Sequence, residues 1–367
     1  MSPKKILIFS LAYHPVIGGA EVAVKEITDR INDIEFDMVT MRFDKSHPKT
    51  ERIGNINVHR IDSSKMLFSI EAMLYAKKIH KERHYDAVWA IMAARAGGAA
   101  LFFKYTHPEV KFILNLQEGD PIWYMKLRSL YYINPFFRKI FSNADIVQAI
   151  SHYLADYARI MGYKGKVEVI PNGIDLKKFA LSNPQFPKSS HEIVLITTSR
   201  LVGKNGVRDI ISALQLLPEN VQLEIIGTGP LEFKLKQDVM DLKLESRVKF
   251  IGHVSNEEIP KFLHQADIFI RPSLSEGLGI SFLEAMAAGL PVIATPVGGI
   301  PDFLKDGETG LFCEVRNPEN IARQVTRLLG DEELRKRIIE NGIKLVKERY
   351  DWDIVVSEMK SKVFDKV

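Results

Sequence analysis

Short apolar runs recur along the chain, separated by amphipathic stretches of helical period. Ile6–Leu11, Ala87–Ile91, Lys111–Leu116, Ile146–Ile150 and Val167–Ile170 have the length and β-branched content of buried strands. The pattern resumes in Ile193–Thr198, Gln222–Ile226, Val248–Ile251, Ile268–Arg271 and Pro291–Ala294. Strands alternating with helical segments predict a parallel α/β sheet. Between Ala20 and Ile31 the apolar residues Ala20, Val24, Ile27 and Ile31 step by four, three and four, which is one face of a helix starting after Gly18-Gly19. A second helix is predicted from about Ser281 to Ala288, and an amphipathic one after Tyr350-Asp351-Trp352-Asp353.

A chain of 367 residues exceeds one ordinary domain, so two are expected. The stretch Asp175–His191 has no sustained period and carries Asn183-Pro184, Phe186-Pro187 and Ser189-Ser190, which places the linker there. Met1-Ser2-Pro3-Lys4-Lys5 before an apolar run imitates a signal peptide. The run is short and lacks a small-residue cleavage site, so a first buried strand is the expectation. No stretch approaches the ~20 apolar residues of a membrane span.

The strongest chemical signal is Ser275-Glu276-Gly277-Leu278-Gly279-Ile280-Ser281-Phe282-Leu283-Glu284, continuing into Ala285-Met286-Ala287-Ala288-Gly289-Leu290-Pro291-Val292. Two glycines flank Leu278 just before a helix. Backbone N–H groups at such a start suit a diphosphate. Glu276 precedes the loop and Glu284 lies inside the helix. Two carboxylates on either side of a diphosphate cradle are placed for hydroxyls of a transferred sugar and of a ribose. The plainer reading of Glu284 is a solvated helix residue, but its neighbours are apolar and small.

This string resembles the donor-binding signature of family 4 of the glycosyltransferases, retaining enzymes of the GT-B fold. The likeness runs along nearly the whole chain. It takes in Val16-Ile17-Gly18-Gly19-Ala20-Glu21, Ile170-Pro171-Asn172-Gly173-Ile174-Asp175 and Ser199-Arg200-Leu201-Val202. Ile226-Gly227-Thr228-Gly229-Pro230, Phe250-Ile251-Gly252-His253-Val254, Gly298-Gly299-Ile300-Pro301-Asp302 and Asp306-Gly307-Glu308-Thr309-Gly310-Leu311 follow in the family's order. The resemblance implies two Rossmann-like domains with parallel sheets facing across a cleft. The first would span 1–178 on the acceptor side. The second, 190–347, would bind a nucleotide sugar, and 348–367 would cross back onto the first. It implies Glu284 on the ribose, Glu276 on the donor sugar, and the amides of Gly277, Leu278, Gly279 and Ile280 on phosphate or sugar. Gly18 and Gly19 would turn amides to the same diphosphate; a tight turn is their plain alternative. Gly229 and Val254 would touch the base through backbone.

Two departures stand out. The family's Arg-Leu-x-x-x-Lys-Gly reads Arg200-Leu201-Val202-Gly203-Lys204-Asn205-Gly206, so Asn205 occupies the usual lysine position. Either Lys204 takes over the charge or Asn205 hydrogen-bonds without one, and Arg200 gains weight as the group neutralising the leaving diphosphate. In the first domain, where relatives carry a histidine, the chain has Gln117-Glu118-Gly119-Asp120. Glu118 is the candidate to touch the sugar or accept the acceptor's proton. Its bland reading is a loop carboxylate capping the next segment.

Composition refines this picture. Residues 1–180 hold 26 Lys+Arg against 19 Asp+Glu, while the whole chain is only +4, so the basic excess lies in the first half. That suits an anionic partner, a membrane surface or a phosphorylated acceptor, as well as a plain solvated lysine surface. Trp123-Tyr124-Met125-Lys126-Leu127-Arg128, Tyr131-Tyr132 and Phe136-Phe137-Arg138-Lys139-Ile140-Phe141 interleave aromatics with cations, which fits a membrane interface or an ordinary core. The single cysteine, Cys313, rules out an intramolecular disulfide and fits a reducing compartment. The expectation is a cytoplasmic protein at the inner membrane surface, with a glycan or lipid-linked acceptor and no nucleic-acid partner. It needs neither metal nor cofactor beyond the nucleotide-sugar co-substrate.

Asp351-Trp352-Asp353 is a metal-type D-x-D string set away from the expected cleft. His80, His84 and His107 lack ligand partners at metal spacing, and Ala96-Gly97-Gly98-Ala99 reads as close helix packing. A nucleotide-sugar epimerase on the same fold and a non-catalytic donor-binding subunit are the competing functions.

Overall fold

The computed structural model describes residues 3–16, 18–121, 135–179 and 192–367, in two compact units. Met1–Gly173 with Trp352–Val367 forms the first and Ile174–Asp351 the second.

The first unit opens with β1 (Lys4–Phe9), α1 (Gly19–Asp29), β2 (Ile34–Met41), β3 (Thr50–Ile53), β4 (Ile56–Ile61) and α2 (Phe68–Arg83). It continues with β5 (Ala87–Ile91), α3 (Arg95–Thr106), β6 (Lys111–Leu116), α4 (Pro135–Ser142), β7 (Ile146–Ala149), α5 (His152–Ile160) and β8 (Val167–Val169). Among the described residues these strands make one sheet of order β3-β4-β2-β1-β5-β6-β7-β8, parallel except for β3 against β4. The periodicity around Ala20 buries Ala20, Ala23, Val24 and Ile27 of α1 on this sheet. β2 and β4 escape a reading by apolar runs because both carry polar residues indoors. Asp37 of β2 is buried and accepts from Arg83 at 2.9 Å, with His59 of β4 3.4 Å away. These contacts, against the cost of burial, hold its carboxyl below the usual carboxylate range.

The last helix, α13 (Trp352–Lys362), completes this core. Trp352, Val355 and Met359 enter it, and Phe364 beyond the helix sets its ring against Phe36 and Trp89, at 5.9 and 5.1 Å between centroids. Gly97 and Gly98 lie where a Cβ would come within 2.8 Å of Ile140 and of Ser69, so α3 packs closely on α4 and α2.

The second unit contains α6 (Leu176–Phe179), β9 (Ile193–Thr198), α7 (Val207–Leu214), β10 (Val221–Ile226), α8 (Glu232–Asp241), β11 (Val248–Gly252) and α9 (Ile259–Gln265). Then come β12 (Ile268–Arg271), α10 (Ile280–Ala287), β13 (Val292–Ala294), β14 (Leu311–Phe312), α11 (Pro318–Gly330) and α12 (Glu332–Arg349). Its strands form a parallel sheet of order β11-β10-β9-β12-β13-β14.

The units divide earlier than 178 and later than 348. Ile174 donates its N–H to the Tyr350 carbonyl and bridges Asp351, so the chain leaves and re-enters at one point. The short α6 goes with the second unit because it packs on α10 and the Phe179 carbonyl lies 3.0 Å from His264 Nε2. The linker dipeptides between 183 and 190, with Trp123–Arg128 and Tyr131-Tyr132, lie outside the described residues.

Candidate active site

A ligand crevice in an open parallel sheet forms at the carboxyl ends of the strands, where successive connections diverge. In the second unit that point lies between β9 and β12. The loop leaving β9 carries Arg200, Lys204 and Asn205. The one leaving β10 carries Gly229, and the one leaving β11 Val254. The loop leaving β12 carries Glu276 through Ile280. The candidates scattered through 200–284 are thus gathered at one end of one sheet.

Their centre is a residue outside the predicted site, Arg271 at the end of a predicted strand. Arg271 is buried at the carboxyl end of β12. Its guanidinium donates to Glu276 Oε2 at 2.5 Å, to Ser281 Oγ at 2.7 Å, to Ser273 Oγ at 3.2 Å and to the Thr198 carbonyl at 3.3 Å. It also lies 4.2 Å from the centroid of the Phe282 ring. A charged residue closing an apolar strand run, just before Pro272-Ser273, was the signal available. The other oxygen of Glu276 accepts from the Gly277 N–H at 3.0 Å, so that amide, expected on the ligand, is directed at Glu276. Gly279 caps α10 in the left-handed region at φ +89, where a Cβ would meet the Phe282 ring at 2.5 Å and Arg271 Nη2 at 3.0 Å. Leu278 is buried and Ile280 begins the helix.

Glu284 is half-buried on α10. Burial pushes its carboxyl up to about 7, against the lowering pull of Arg271 and Lys178. An exposed helix carboxylate would not behave so. Thr198 Oγ1 and Ser199 Oγ, at the end of β9, are buried without a hydrogen-bond partner among the described residues. Both directly precede Arg200, Ser199 within the Ser199-Arg200-Leu201-Val202 string, and are open to a bound polar group.

Arg200 is exposed and Lys204 half-buried. Asn205 is buried, and its amide nitrogen donates to the Arg200 carbonyl at 2.7 Å. That bond shapes the loop that carries Arg200. Gly229 also has a packing reason, since a Cβ there would come within 2.5 Å of the Leu201 carbonyl. Val254 is half-buried beside the exposed His253.

In the first unit the corresponding point lies between β1 and β5. Gly18 is the N-cap of α1, which begins at Gly19. The Glu21 carboxylate folds back so that its oxygen is 2.7 Å from where a Gly18 Cβ would stand. Burial raises Glu21, and the N–H groups of Glu21 and Gly18 oppose that rise. An internal carboxylate therefore sits where an external anion was expected. Glu118 accepts from the N–H of Ala93 at 2.9 Å and of Gln117 at 3.0 Å, tying the loop after β5 to the loop after β6. That is the geometry of a loop-capping carboxylate. His14, in the loop after β1, has Nε2 buried without a partner among the described residues. Burial, aided by Lys25 and opposed by Asp29, lowers its pKa.

His80, His84 and His107 do come together, with ring centroids 6.0 and 4.7 Å from His80. No group of three or more His, Cys, Asp or Glu among the described residues is arranged to hold a metal. Asp353 of the D-x-D string lies 3.6 Å from Arg30. Of the described aromatics, Phe141 is fully buried, so it belongs to the core, while Phe136 and Phe137 are half-buried and Arg138 and Lys139 exposed. Among the described residues no helix is long and apolar enough to cross a membrane.

The profile described as Glycosyltransferase Family 4 matches residues 17–178, and that of Glycosyl transferases group 1 matches 180–345. An uncharacterized glycosyltransferase of Methanocaldococcus jannaschii is 30% identical over 370 residues, covering 99% of this chain and 98% of the relative. The chain belongs to family 4 of the glycosyltransferases and is a transferase of sugars. It is also similar to a GDP-mannose-dependent monoacylated alpha-(1-6)-phosphatidylinositol monomannoside mannosyltransferase of Corynebacterium glutamicum, 27% identical over 96% of each chain. Sucrose-phosphate synthase from Thermosynechococcus elongatus shares the fold, at 20% identity and a TM-score of 0.84 over 99% of this chain and 100% of that one. Anabaena HepE in complex with UDP and glucose does too, at 21% identity and a TM-score of 0.81 over 99% and 100%. The two parallel sheets with their helices are those of the GT-B fold.

Proposed function

We propose that this glycosyltransferase is retaining. It moves a hexose-type sugar from a UDP- or GDP-linked donor, held by the second unit, to the hydroxyl of a glycan or lipid-linked acceptor. The observation that carries this reading is the gathering of Glu276, Glu284 and the α10 start at the ends of β9 and β12. In this reading Glu284 accepts from ribose hydroxyls and Glu276 from hydroxyls of the sugar. Arg200, Lys204 and the amides of Leu278, Gly279 and Ile280 take the diphosphate. The acceptor oxygen bonds to the anomeric carbon on the face from which the diphosphate leaves, and the acceptor's proton passes to the departing phosphate oxygen. Cations and amides that strengthen their hold as negative charge gathers on the leaving group lower the barrier. A relative described as GDP-mannose-dependent and a structural neighbour holding UDP and glucose support a nucleotide-sugar donor of either base.

A thermal-shift screen of UDP, GDP, UDP-glucose and GDP-mannose tests the donor class, and no stabilisation by any of them would remove it. Arg200→Ala should then weaken nucleoside-diphosphate binding by roughly tenfold to a hundredfold, as expected for a lost charge-assisted contact. Unchanged affinity by calorimetry would take Arg200 out of the site.

Charge neutralisation by Arg200, Lys204 and the helix start makes the transfer metal-independent. Activity should survive exhaustive chelation. Abolition by EDTA with rescue by manganese or magnesium would overturn this.

The acceptor is membrane-presented, and the enzyme is peripheral on an anionic bilayer. Support comes from α2, whose inner face buries Phe68, Ala72 and Ala76 while its outer face is apolar as well. Met66 is 88% exposed, and Leu67, Ile70 and Leu74 follow it outward at helical spacing, with Lys65, Lys78 and Lys81 exposed along the same segment. A cavity of about 200 Å³ opens between Met66, Ala94, Phe136 and Phe137. Co-sedimentation with anionic vesicles should occur at low salt and weaken at high salt. The combined Ile70→Ser and Leu74→Ser variant should lose it. Wild-type failure to bind at low salt, with efficient glycosylation of a soluble acceptor, would refute the membrane reading.

A further inference from the structure

We propose that Arg271 is the positioning residue of the donor-sugar subsite, fixing the Glu276 carboxylate relative to the end of β9 and to Ser281. This rests on the reading of the second unit as the donor site.

A buried arginine gives little net stability, because the cost of removing a charge from water offsets what the ion pair returns. The rest of β12, Ile268, Phe269 and Ile270, is fully buried and apolar, so a hydrophobic residue at 271 would serve packing as well. The guanidinium instead spends its donors on three separate segments. It bonds the Thr198 carbonyl at the end of β9, Ser273 and Glu276 in the loop, and Ser281 in the first turn of α10. The planar fork fixes these groups relative to one another in a way a lysine ammonium does not.

Glu276 is thereby gripped on both oxygens, by Arg271 and by the Gly277 N–H. A carboxylate has about four acceptor positions. Two are used inside the protein, which leaves the others for hydroxyls of the donor sugar. The Phe282 ring under the guanidinium and Gly279 against its edge close the remaining approaches. Arg271 itself is turned inward and does not touch the donor. It governs the sugar end, while Arg200 and Glu284 govern the nucleotide.

The test compares affinity for UDP with UDP-glucose, and for GDP with GDP-mannose, in wild type, Arg271→Lys, Arg271→Met and Ser281→Ala. Calorimetry and turnover are measured together, and circular dichroism checks the fold. Nucleoside-diphosphate affinity should stay within about threefold of wild type in folded Arg271→Lys and Ser281→Ala. The extra affinity for the sugar nucleotide should disappear in Arg271→Lys, with kcat falling by about a hundredfold as a mispositioned carboxylate implies. Ser281→Ala should lie between, having lost one of the bonds that orient the guanidinium. Arg271→Met should lose the sugar increment as Arg271→Lys does, if it folds.

The pH profile gives a readout that a purely structural role would not move. The Arg271 charge acts on both Glu276 and Glu284, and with Lys178 it pulls the Glu284 carboxyl down. Without that charge, in Arg271→Met, the acid limb of nucleotide binding moves to higher pH. A folded Arg271→Lys that keeps the wild-type sugar increment and kcat overturns the proposal. So does a parallel loss of nucleotide and sugar-nucleotide affinity. Absence of nucleotide binding in the wild type would refute the donor-site reading itself, which separates the two failures.

Discussion

Glu284→Gln should make the ligand-free protein more stable at pH 8 and, in the same step, a poorer binder of nucleoside diphosphates. The Glu284 carboxyl ionises near 7 in the fold, raised by burial from an ordinary value of 4.5. A native state that holds its proton more tightly than the unfolded chain loses stability as pH rises between those values. The loss is complete above about 7. It amounts to about 3 kcal/mol at most. Glutamine has no such cost, so the advantage of the variant should be full at pH 8, shrink through pH 6 and vanish near pH 4. Loss of a negative charge near Arg271 works the other way, but Glu276 remains as the main partner of that guanidinium. Urea unfolding at the three pH values reads the effect. A variant no more stable than wild type at pH 8 would show that the carboxylate is comfortable where it stands. Nucleotide affinity in the wild type should correspondingly rise with pH through about 7, as ribose hydroxyls meet an ionised acceptor, and the variant should be flat.

The second large effect is expected at Gly298, in the loop after β13. Its φ is +58, and a Cβ built there would lie 1.8 Å from the Glu276 carbonyl oxygen and 2.9 Å from its carbon. Alanine at this position meets two costs, the left-handed backbone and an overlap that only backbone movement relieves. Together they come to about 3 kcal/mol or more. The part displaced is the loop carrying Glu276, which also accepts from the Gly299 N–H at 3.1 Å. Turnover of Gly298→Ala should fall by about a hundredfold, as for a carboxylate shifted by a fraction of an ångström to an ångström. Gly307→Ala is the control. Its φ is +72 but nothing lies within 4 Å of the added Cβ. That variant should lose only about 1 kcal/mol and keep its turnover. Equal behaviour of the two variants would mean that φ alone, and not the approach to Glu276, makes Gly298 necessary.

Much of the architecture was legible in the linear pattern. The ten apolar runs from Ile6 to Ala294 are strands, and the helices after Gly18 and after Gly279 begin within a residue or two of where their periodicity begins. Burial of a strand in a parallel sheet demands an unbroken apolar run, and such runs leave a direct mark on the sequence. β2 and β4 left a weaker one. Asp37, His59 and Arg60 lie indoors there because partners from α2 and neighbouring loops satisfy them, and those partners are remote in sequence. The edge strand β3 and the two-residue β14 are too short or too exposed for an apolar pattern.

The candidate site divides in the same way. Glu276, Glu284 and the glycines between them are contiguous, so their spacing alone announced an anion-binding helix start with two carboxylates. What each side chain does with its hydrogen bonds is a matter of tertiary geometry. Asn205 occupies a position where charge was expected, yet its amide turns onto the Arg200 carbonyl. Glu118 accepts from Ala93 and Gln117, and Glu21 folds onto the start of α1. None of these choices is encoded locally, because a polar side chain takes whichever buried partner the packed fold brings within about 3 Å.

The sequence by itself therefore determined the α/β class, the two-domain plan and the glycine-rich loop between two carboxylates. These depend on periodicity and on short-range spacing. Only the tertiary structure decided that Arg271 stands between Thr198, Glu276 and Ser281, that Glu284 ionises near neutrality, and that the returning terminal segment packs through Trp352 and Phe364. Each joins residues distant along the chain, or depends on a local dielectric that exists only once the surrounding apolar elements have closed around the group.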